Sequence, residues 1–310
     1  MCPQYTSMVY LEERKIGNNK YYYLIKNIRL KGDKWRKESK YFGTNRPKKK
    51  DIEEFSRKLN KKEDVPTKYL SKEQLNFIDN LKLNYNNYID KLTEHDFIQF
   101  EDATITSFTY NTNAIEGSTL SLNETGIILN ENITPPGKDL REVYGALNIK
   151  EGYYYMKKMK DITQNNIKKI HHIVMKNILN IELGEYRSVP VRIIGSNVKP
   201  PFPIDVSDEM KKFIEWYHKN KNLHPFELAC LLHIKFEKIH PFRDGNGRVG
   251  RLIMNFVLLK NKYPILDIKI SKKLDYYKTL EGAQTRKKYK DFINYCFSIY
   301  KEDAIDMGWE

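Results

Sequence analysis

The sequence predicts a mainly α-helical protein preceded by a small antiparallel β meander. From Asp51 onward, apolar residues recur at helical spacing between capping residues, whereas residues 1–45 hold three β-prone runs separated by turn residues. A third stretch, residues 186–203, is β-prone and punctuated by prolines, which is typical of a hairpin or flap inserted between helices. We therefore expect a helical bundle that carries one β-hairpin.

The length of 310 residues allows one large or two modest domains with a real core. We expect a β-rich module over residues 1–50, a helical region over 51–130 and a helical core over 131–310. The turns of the meander are predicted at residues 17–19 and 31–34, which are rich in Gly, Asn and Asp.

Capping residues set the predicted starts of the helices. Ser71 and Thr163 stand before apolar-periodic runs, and Ser121 with Glu124 has the spacing of a capping box. Pro225 fits the first turn of the helix that it opens. The predicted helices cover residues 51–60, 71–85, 93–112, 139–159, 163–178, 205–218, 224–239, 252–259, 271–282 and 288–300.

Composition excludes several classes of protein. No apolar run reaches 18 residues, so we expect no membrane span, and the N-terminus lacks the features of a secretory signal. The three cysteines are far apart in sequence and odd in number, which argues against a zinc cluster or a disulfide framework. We expect a cytoplasmic protein.

The net charge of +14 has two interpretations. A basic protein can bind a polyanion such as nucleic acid, and Tyr and Lys on the N-terminal sheet could stack on bases. The lysines are spread along the whole chain among Asn and Glu, however, which favours a solvated lysine-rich surface. Nucleic acid is therefore the less favoured partner.

The most informative stretch is His240–Arg251, whose sequence is HPFRDGNGRVGR. Gly245, Asn246 and Gly247 allow a tight turn whose backbone N–H groups face an anion. An apolar helix follows, so the turn lies at a helix N-terminus, where phosphate binds favourably. Arg248 and Arg251 are three residues apart and can face the same ligand. These features together predict a phosphate site.

Two further side chains could act on the bound phosphate. His240 lies at the end of the preceding helix, where it could serve as a general base, although a lone loop histidine more often caps carbonyl groups. Asp244 is a hard oxygen ligand beside the anion turn and suits Mg²⁺ shared with phosphate oxygens, although it could also be a turn aspartate. The neighbouring glycines and arginines favour the functional interpretation of both.

These twelve residues match the Fic family signature HxFx(D/E)GNGRxxR, and the resemblance extends over about residues 100–285. It implies transfer of AMP from ATP to a Ser, Thr or Tyr hydroxyl of a target protein. His240 would be the base, and Asp244 would hold Mg²⁺. The residues that would bind the phosphates are Gly245, Asn246, Gly247, Arg248 and Arg251.

The resemblance also implies roles outside the signature. Tyr277 would lie near the nucleotide base. A flap that includes Val191, Ile193 and Gly195 would add the target's main chain as a strand. Relatives that phosphorylate carry Lys where this chain has Gly247, so AMP transfer is the expected reaction.

A second match lies upstream, where residues 112–117 (TNAIEG) fit the family's inhibitory motif [S/T]xxxE[G/N]. The resemblance is to the class with an N-terminal inhibitory helix. Glu116 would pair with Arg251 and so deny that arginine to the γ-phosphate, and Thr112 would steady the end of the helix.

Alternatives stay open at this stage. The same site could remove AMP or transfer another nucleotide-linked group such as UMP, and a nucleic-acid-binding regulator built on the same scaffold is an alternative of another class. The target protein is unknown, and self-modification and homodimerisation are both compatible with the sequence.

Overall fold

The structure, a computed structural model, describes residues 9–17, 19–29, 35–60, 65–178, 182–193 and 195–309. The chain forms two compact units, residues 1–65 and residues 66–310. The predicted meander is confirmed in the first unit, which consists of β1 (Val9–Ile16), β2 (Asn19–Arg29), β3 (Trp35–Tyr41) and α1 (Lys49–Asn60). The first unit therefore includes α1 as well as the sheet.

The sheet has the order β1-β2-β3, and both pairs of neighbouring strands are antiparallel. The pairing of β1 with β2 continues to Ile16 opposite Asn19. Gly17, with φ of 61°, adopts the left-handed conformation that such a tight hairpin needs. The second predicted turn, residues 31–34, lies outside the described residues.

The described part of the second unit is helical. Its helices are α2 (Lys72–Ile89), α3 (Glu94–Ile115), α4 (Leu122–Gly126), α5 (Leu140–Lys158), α6 (Gln164–Met175), α7 (Val206–Lys219), α8 (Pro225–Ile239), α9 (Asn246–Lys260), α10 (Lys273–Arg286) and α11 (Tyr289–Asp306).

The predicted caps form with their side-chain hydrogen bonds. The Ser71 and Ser121 side chains each accept from the backbone N–H three residues on. In turn, the Gln74 and Glu124 side chains accept from the backbone N–H groups of Ser71 and Ser121, which completes two capping boxes. Thr163 caps α6 in the same manner. These bonds satisfy first-turn N–H groups that have no acceptor inside the helix.

The differences from the prediction that bear on the site concern α6 and the segment before α7. The helix α6 ends at Met175 rather than at residue 178. Residues 186–202 carry no strand among the described residues, although Gly195 makes the predicted turn with φ of 74°. The prolines at positions 190, 200 and 201 lack the N–H that a strand ladder requires, and no neighbouring strand pairs with this segment among the described residues.

The core of the second unit is built around α8 and α9. Most of both helices is buried, and they pack on each other and on α5, α6, α10 and α11. Because this core fixes α8 and α9, it also fixes the loop of residues 240–245 that joins them. No helix in the described part of the chain is both long and apolar enough to span a membrane.

Candidate active site

His240 follows the last residue of α8 and has φ of 50°, a left-handed conformation that non-glycine residues seldom adopt. The conformation is held by Arg187, which is only 3% exposed. The Arg187 Nε donates to the His240 carbonyl at 2.8 Å, and the Arg187 backbone N–H donates to the Pro241 carbonyl at 2.9 Å. Arg187 therefore fixes the direction in which the histidine leaves the helix.

The loop after His240 is braced from within. The Asn246 side chain accepts from the Phe242 N–H and donates to the Phe242 carbonyl, both at 2.9 Å. The side chain of Asn246 is thus committed to the loop, and its backbone N–H at the start of α9 is the group free of intrahelical partners. The Phe242 ring is buried and stacks on His171 at 3.8 Å between ring centroids.

His171 supports the loop from α6. Its Nδ1 accepts from the Gly184 N–H at 2.9 Å, so its Nε2 carries the proton and donates to the Asp244 carbonyl at 3.2 Å. Burial lowers the pKa of His171 to about 4, which keeps the ring neutral. His171 is buried, whereas the neighbouring His172 is exposed.

The turn that the sequence predicts to bind an anion lies at the start of α9. Gly245 precedes α9 with φ of 75°, and a Cβ at this position would collide with Met175. Arg248 in the first turn of α9 is 7% exposed, and its Nε has no hydrogen-bond partner among the described residues. Burial lowers the pKa of Arg248, because nearby Glu116 and Asp244 compensate only partly. An unsatisfied buried cation at a helix N-terminus suits an anionic ligand.

Asp244 can take part in a metal site but cannot build one alone. Its side chain is 45% exposed, and its Oδ1 accepts from the Gly245 N–H at 2.6 Å. The described residues contain no group of three or more potential metal ligands. A single carboxylate next to an anion turn fits Mg²⁺, which usually takes one or two carboxylates and completes its shell with phosphate oxygens and water.

The imidazole of His240 is held neutral. Burial lowers the pKa of His240 to about 4, against the opposing effects of the Glu237 carbonyl and the Glu116 carboxylate. A neutral imidazole near neutral pH has a lone pair available for a proton.

Arg251 is 1% exposed and is held by the end of α3. Its Nε donates to Thr112 Oγ1 at 2.7 Å, and its Nη2 donates to the Thr112 carbonyl at 3.1 Å and to Glu116 Oε1 at 2.6 Å. Burial disfavours the charge of Glu116, but Arg251 outweighs it and holds the Glu116 pKa below its usual value. Glu116 and Arg251, which are 135 residues apart in sequence, therefore meet in an ion pair.

Glu116 covers this pair from the solvent side, since its side chain is 28% exposed. It also lies against Gly247, where an added Cβ would collide with the Glu116 carboxylate. Tyr277 borders the same region, because its hydroxyl donates to the Ile115 carbonyl at 3.4 Å. Glycine at position 247 thus leaves room for Glu116 as well as for an anion.

The remaining predicted residues lie in the segment before α7. Val191 and Ile193 are partly exposed, and Gly195 is exposed. The turn after Ile193 is fixed to α10, because the Asn197 Nδ2 donates to Glu281 Oε1 at 2.9 Å. An extended edge with exposed backbone is what strand addition requires.

Two supporting residues lie next to the site without having been singled out for a role there: Arg187 and Glu237. Each is buried and polar. Arg187 belongs to the sequence segment assigned to the flap. Tyr276 belongs with Tyr277 to the tyrosine pair that the resemblance places near the nucleotide base. A buried arginine or glutamate has no local sequence signal, because its partners come from other elements.

Comparison with known proteins gives these features a context. Residues 161–258 match the model of the Fic/DOC family. A protein adenylyltransferase Fic of Nematostella vectensis is 37% identical over 181 residues, which is 56% of this chain and 42% of that protein. The protein adenylyltransferase fic-1 of Caenorhabditis elegans is 30% identical over 184 residues, 57% of this chain and 36% of that protein. The chain therefore spans less than half the length of these curated relatives.

The fold agrees with solved structures. A Fic-domain-containing signalling protein from Bacteroides thetaiotaomicron superimposes with a TM-score of 0.66 at 26% identity, covering 72% of this chain and 93% of that chain. Fic-1 of C. elegans superimposes with a TM-score of 0.64 at 24% identity, covering 74% and 69%. The sequence match and the fold together show that residues 161–258 of this chain form a Fic/DOC-family domain.

Proposed function

We propose that this chain transfers AMP from ATP to a hydroxyl group of a protein and that Glu116 holds the activity off. The proposal depends on the position of His240 beside the N-terminus of α9. There, Gly245 and the buried residues Arg248 and Arg251 form a positively charged site that suits an anion. The names of the relatives, protein adenylyltransferases, support the same reaction.

In this proposal the target hydroxyl oxygen attacks the α-phosphorus of ATP. The hydroxyl proton passes to neutral His240, a P–O bond forms to the target, and the bond to the β-phosphate oxygen breaks to release pyrophosphate. The N–H groups of the first turn of α9 and the two arginines bind the developing charge. Asp244 would hold Mg²⁺, which when bound neutralises phosphate charge.

The inhibition follows from the contacts of Arg251. While its Nη2 donates to Glu116, the arginine cannot give the same N–H to a γ-phosphate, and the carboxylate repels that phosphate. The nucleotide must then bind displaced from the geometry that His240 needs.

Intact-mass analysis after incubation with Mg-ATP tests the proposal. We expect Glu116→Gly to gain the mass of AMP on itself or on an added protein target at a rate about 10²–10³ times that of the wild type. The double variant Glu116→Gly/His240→Ala should gain nothing. If Glu116→Gly incorporates AMP no faster than the wild type, the inhibitory role of Glu116 is wrong. If the double variant still incorporates AMP, the role of His240 as the base is wrong.

Removal of AMP is the same-site alternative, because the partly exposed Glu116 carboxylate could orient a water molecule. Protein labelled by Glu116→Gly and then mixed with wild type distinguishes the two. Release of AMP by the wild type, and not by His240→Ala, would favour removal as the resting activity.

A second candidate function concerns the first unit. Residues 1–65 hold 18 Lys and Arg against 9 Asp and Glu, so they carry +9 of the total net charge of +14. Although lysines occur along the whole chain, most of the net positive charge therefore lies in the first unit. One sheet face places Arg14 over the Tyr23 ring at 4.5 Å, and Tyr23 packs on the 56% exposed Tyr41 at 5.0 Å between centroids. Cations beside exposed aromatic rings suit nucleic acid.

Fluorescence anisotropy of the full chain with a labelled single-stranded oligonucleotide tests this candidate. We expect affinity that falls steeply with salt and weakens on Arg14→Ala and Tyr41→Ala. Salt-independent or undetectable affinity at low salt would exclude it.

A further inference from the structure

Behind the proposed base lies a row of buried polar atoms on one face of α8. His233, Glu237 and His240 are spaced four and three residues apart, which places them on the same side of the helix and its C-cap. Among the described residues, His233 Nδ1, Glu237 Oε1 and His240 Nδ1 are buried without a hydrogen-bond partner. Unpaired buried polar atoms are costly, so three neighbouring ones require an explanation.

The three groups lie within reach of one another. Glu237 Oε2 is 3.6 Å from His240 Nδ1, slightly beyond a hydrogen bond. Gly250 of α9 stands against Glu237 Oε1 and His233 Nδ1, and a Cβ there would collide with the carboxylate. Catalytic hydrogen bonds are often long in the absence of substrate and shorten in the working complex. A small side-chain rotation of Glu237 would close this gap.

The direction of the protons in this row can be deduced from Arg251, which can only donate. Its Nη1 donates to the Tyr276 hydroxyl at 3.4 Å, and that hydroxyl lies 2.8 Å from His233 Nε2. In this arrangement, the Tyr276 oxygen accepts from the arginine and its own proton goes to His233 Nε2. His233 Nδ1 must then carry the proton of the neutral ring, and burial keeps this ring neutral by lowering its pKa to about 3.

We propose that Glu237 is the positioning residue for His240, with a carboxylate that accepts the Nδ1 protons of both His233 and His240 and so leaves His240 Nε2 free to take the proton of the target hydroxyl. This inference rests on the proposed function. It gives a hydrogen-bond partner to the Glu237 carboxylate and to the Nδ1 atoms of both histidines. It also connects His240 through His233 and Tyr276 to Arg251, the residue with which Glu116 forms an ion pair.

Only the ionised form of Glu237 can accept from both rings. Burial raises the pKa of Glu237 to about 8, Arg251 opposes this rise, and Glu116 adds to it. The charged or titratable groups that face His240 are Glu237 and Asp244, Glu116 from α3 and Arg187 from the segment before α7. A protonated Glu237 would donate its own proton to one of the two Nδ1 atoms. Because His233 Nδ1 already carries a proton, the acceptor would be His240 Nδ1. His240 would then carry its proton on Nε2 and could not act as the base.

The test uses the Glu116→Gly chain with Mg-ATP and compares it with the same chain carrying Glu237→Gln. The amide has the same shape but must present an N–H to one of the two rings. We expect kcat to fall by about 10²-fold, the KM for ATP to change by less than about threefold, and the rise of kcat that accompanies ionisation of Glu237 to disappear. An unchanged kcat, or an unchanged pH profile, would overturn the proposal.

Glu227→Gln is the matched control, because Glu227 is also a fully buried carboxyl on α8 but bonds to the backbone of Lys68 and Tyr69. It should lower the melting temperature and leave the pH dependence of kcat in place. A merely structural role for Glu237 would make the two variants behave alike.

A second measurement is independent of catalysis. In ¹⁵N-histidine-labelled wild-type chain, the Nδ1 signals of His233 and His240 should shift together as Glu237 ionises above neutral pH, and Glu237→Gln should abolish the shift. Signals that do not change between pH 6 and 9 would contradict the proposal even if AMP transfer is confirmed. Signals that behave as expected would support it even if the transferred group is not AMP.

Discussion

At the scale of single residues, the proposed function depends on Arg251, because its contacts would decide whether a triphosphate binds productively. The family resemblance implied that Glu116 pairs with Arg251, and the structure contains this ion pair. The structure adds that Thr112 presents both its hydroxyl and its carbonyl to the guanidinium. Because Thr112 accepts from Nε and shares Nη2 with Glu116, it holds the guanidinium in the orientation that suits the carboxylate.

Thr112→Val tests this role. The change keeps the shape of the side chain and removes the acceptor for Arg251 Nε, which weakens the inhibited arrangement by about 1.5 kcal/mol. We expect AMP incorporation to rise about tenfold, less than for Glu116→Gly. Radiolabelled or mass-based AMP transfer with Mg-ATP measures it.

Thr109→Val is the matched control, because Thr109 lies one turn earlier on α3, is fully buried and has a hydroxyl without a partner among the described residues. Its AMP incorporation should equal that of the wild type. Equal stimulation by both variants would mean that general loosening of α3, rather than the bond to Arg251, explains the effect.

At the scale of elements, the starts of helices were predictable and some of their ends were not. Thr93 caps α3 as its sequence indicates, because capping is a local interaction. The sequence predicted the end of α3 within residues 112–117 with Gly117 as the C-cap, and the helix ends at Ile115 with Glu116 as its C-cap. Contacts from Arg251 hold this last turn, and such tertiary contacts leave no trace in the local sequence.

The segment of residues 186–202 illustrates the same limit. Its β-prone residues predicted a hairpin, and Gly195 does make the turn, but a strand exists only where a neighbour shares its hydrogen bonds. Among the described residues, nothing pairs with this segment as a strand. In the proposed function the missing neighbour is the main chain of the target.

The helix α3 is anchored by a polar clamp that should control inhibition from a distance. The Asn111 Nδ2 donates to Asp267 Oδ2 at 2.8 Å, and the Ile270 N–H donates to Asn111 Oδ1 at 3.1 Å. Asn111→Ala leaves these buried groups unpaired at a cost of about 1–3 kcal/mol. We expect faster amide exchange over residues 107–116 and increased AMP incorporation.

Asn255→Ala supplies the comparison, because Asn255 clamps the same loop from α9 through both backbone groups of Leu266. It should lower the melting temperature by a similar amount without accelerating exchange in α3 or AMP transfer. If both variants activate equally, the clamp on α3 has no specific part in the inhibition.

At the scale of the whole molecule, the second unit keeps several ionisable groups neutral inside its core. His171, His233 and His240 all have a pKa lowered to about 3 or 4, in each case first by burial. Glu237 has the opposite shift, to about 8. His171 contacts the loop between α8 and α9, His240 lies in it and His233 lies on α8, so the arrangement that forms the site also makes the fold sensitive to acid.

The sign of this sensitivity follows from proton binding. In the unfolded chain a histidine binds a proton near pH 6.5, whereas the folded state resists it down to about pH 4, so stability is lost as pH falls through this window. Glu237 has the opposite effect on the stability of the fold. Its pKa is raised to about 8 in the folded state, so stability is lost as pH rises from about 4.5 to 8. We therefore expect the melting temperature to be highest near pH 6–7 and to fall by on the order of 10 °C by pH 4.5.

Calorimetry or circular dichroism across pH measures this, and two histidine variants assign it. His171→Gln removes one buried imidazole, so it should melt lower at pH 7 but lose less stability between pH 6.5 and 4.5 than the wild type. His95→Gln changes an exposed histidine and should leave the profile unaltered. A wild-type melting temperature that is constant over this window would show that the three rings are not neutral and buried together, and would remove the physical basis for His240 as a ready base near neutral pH.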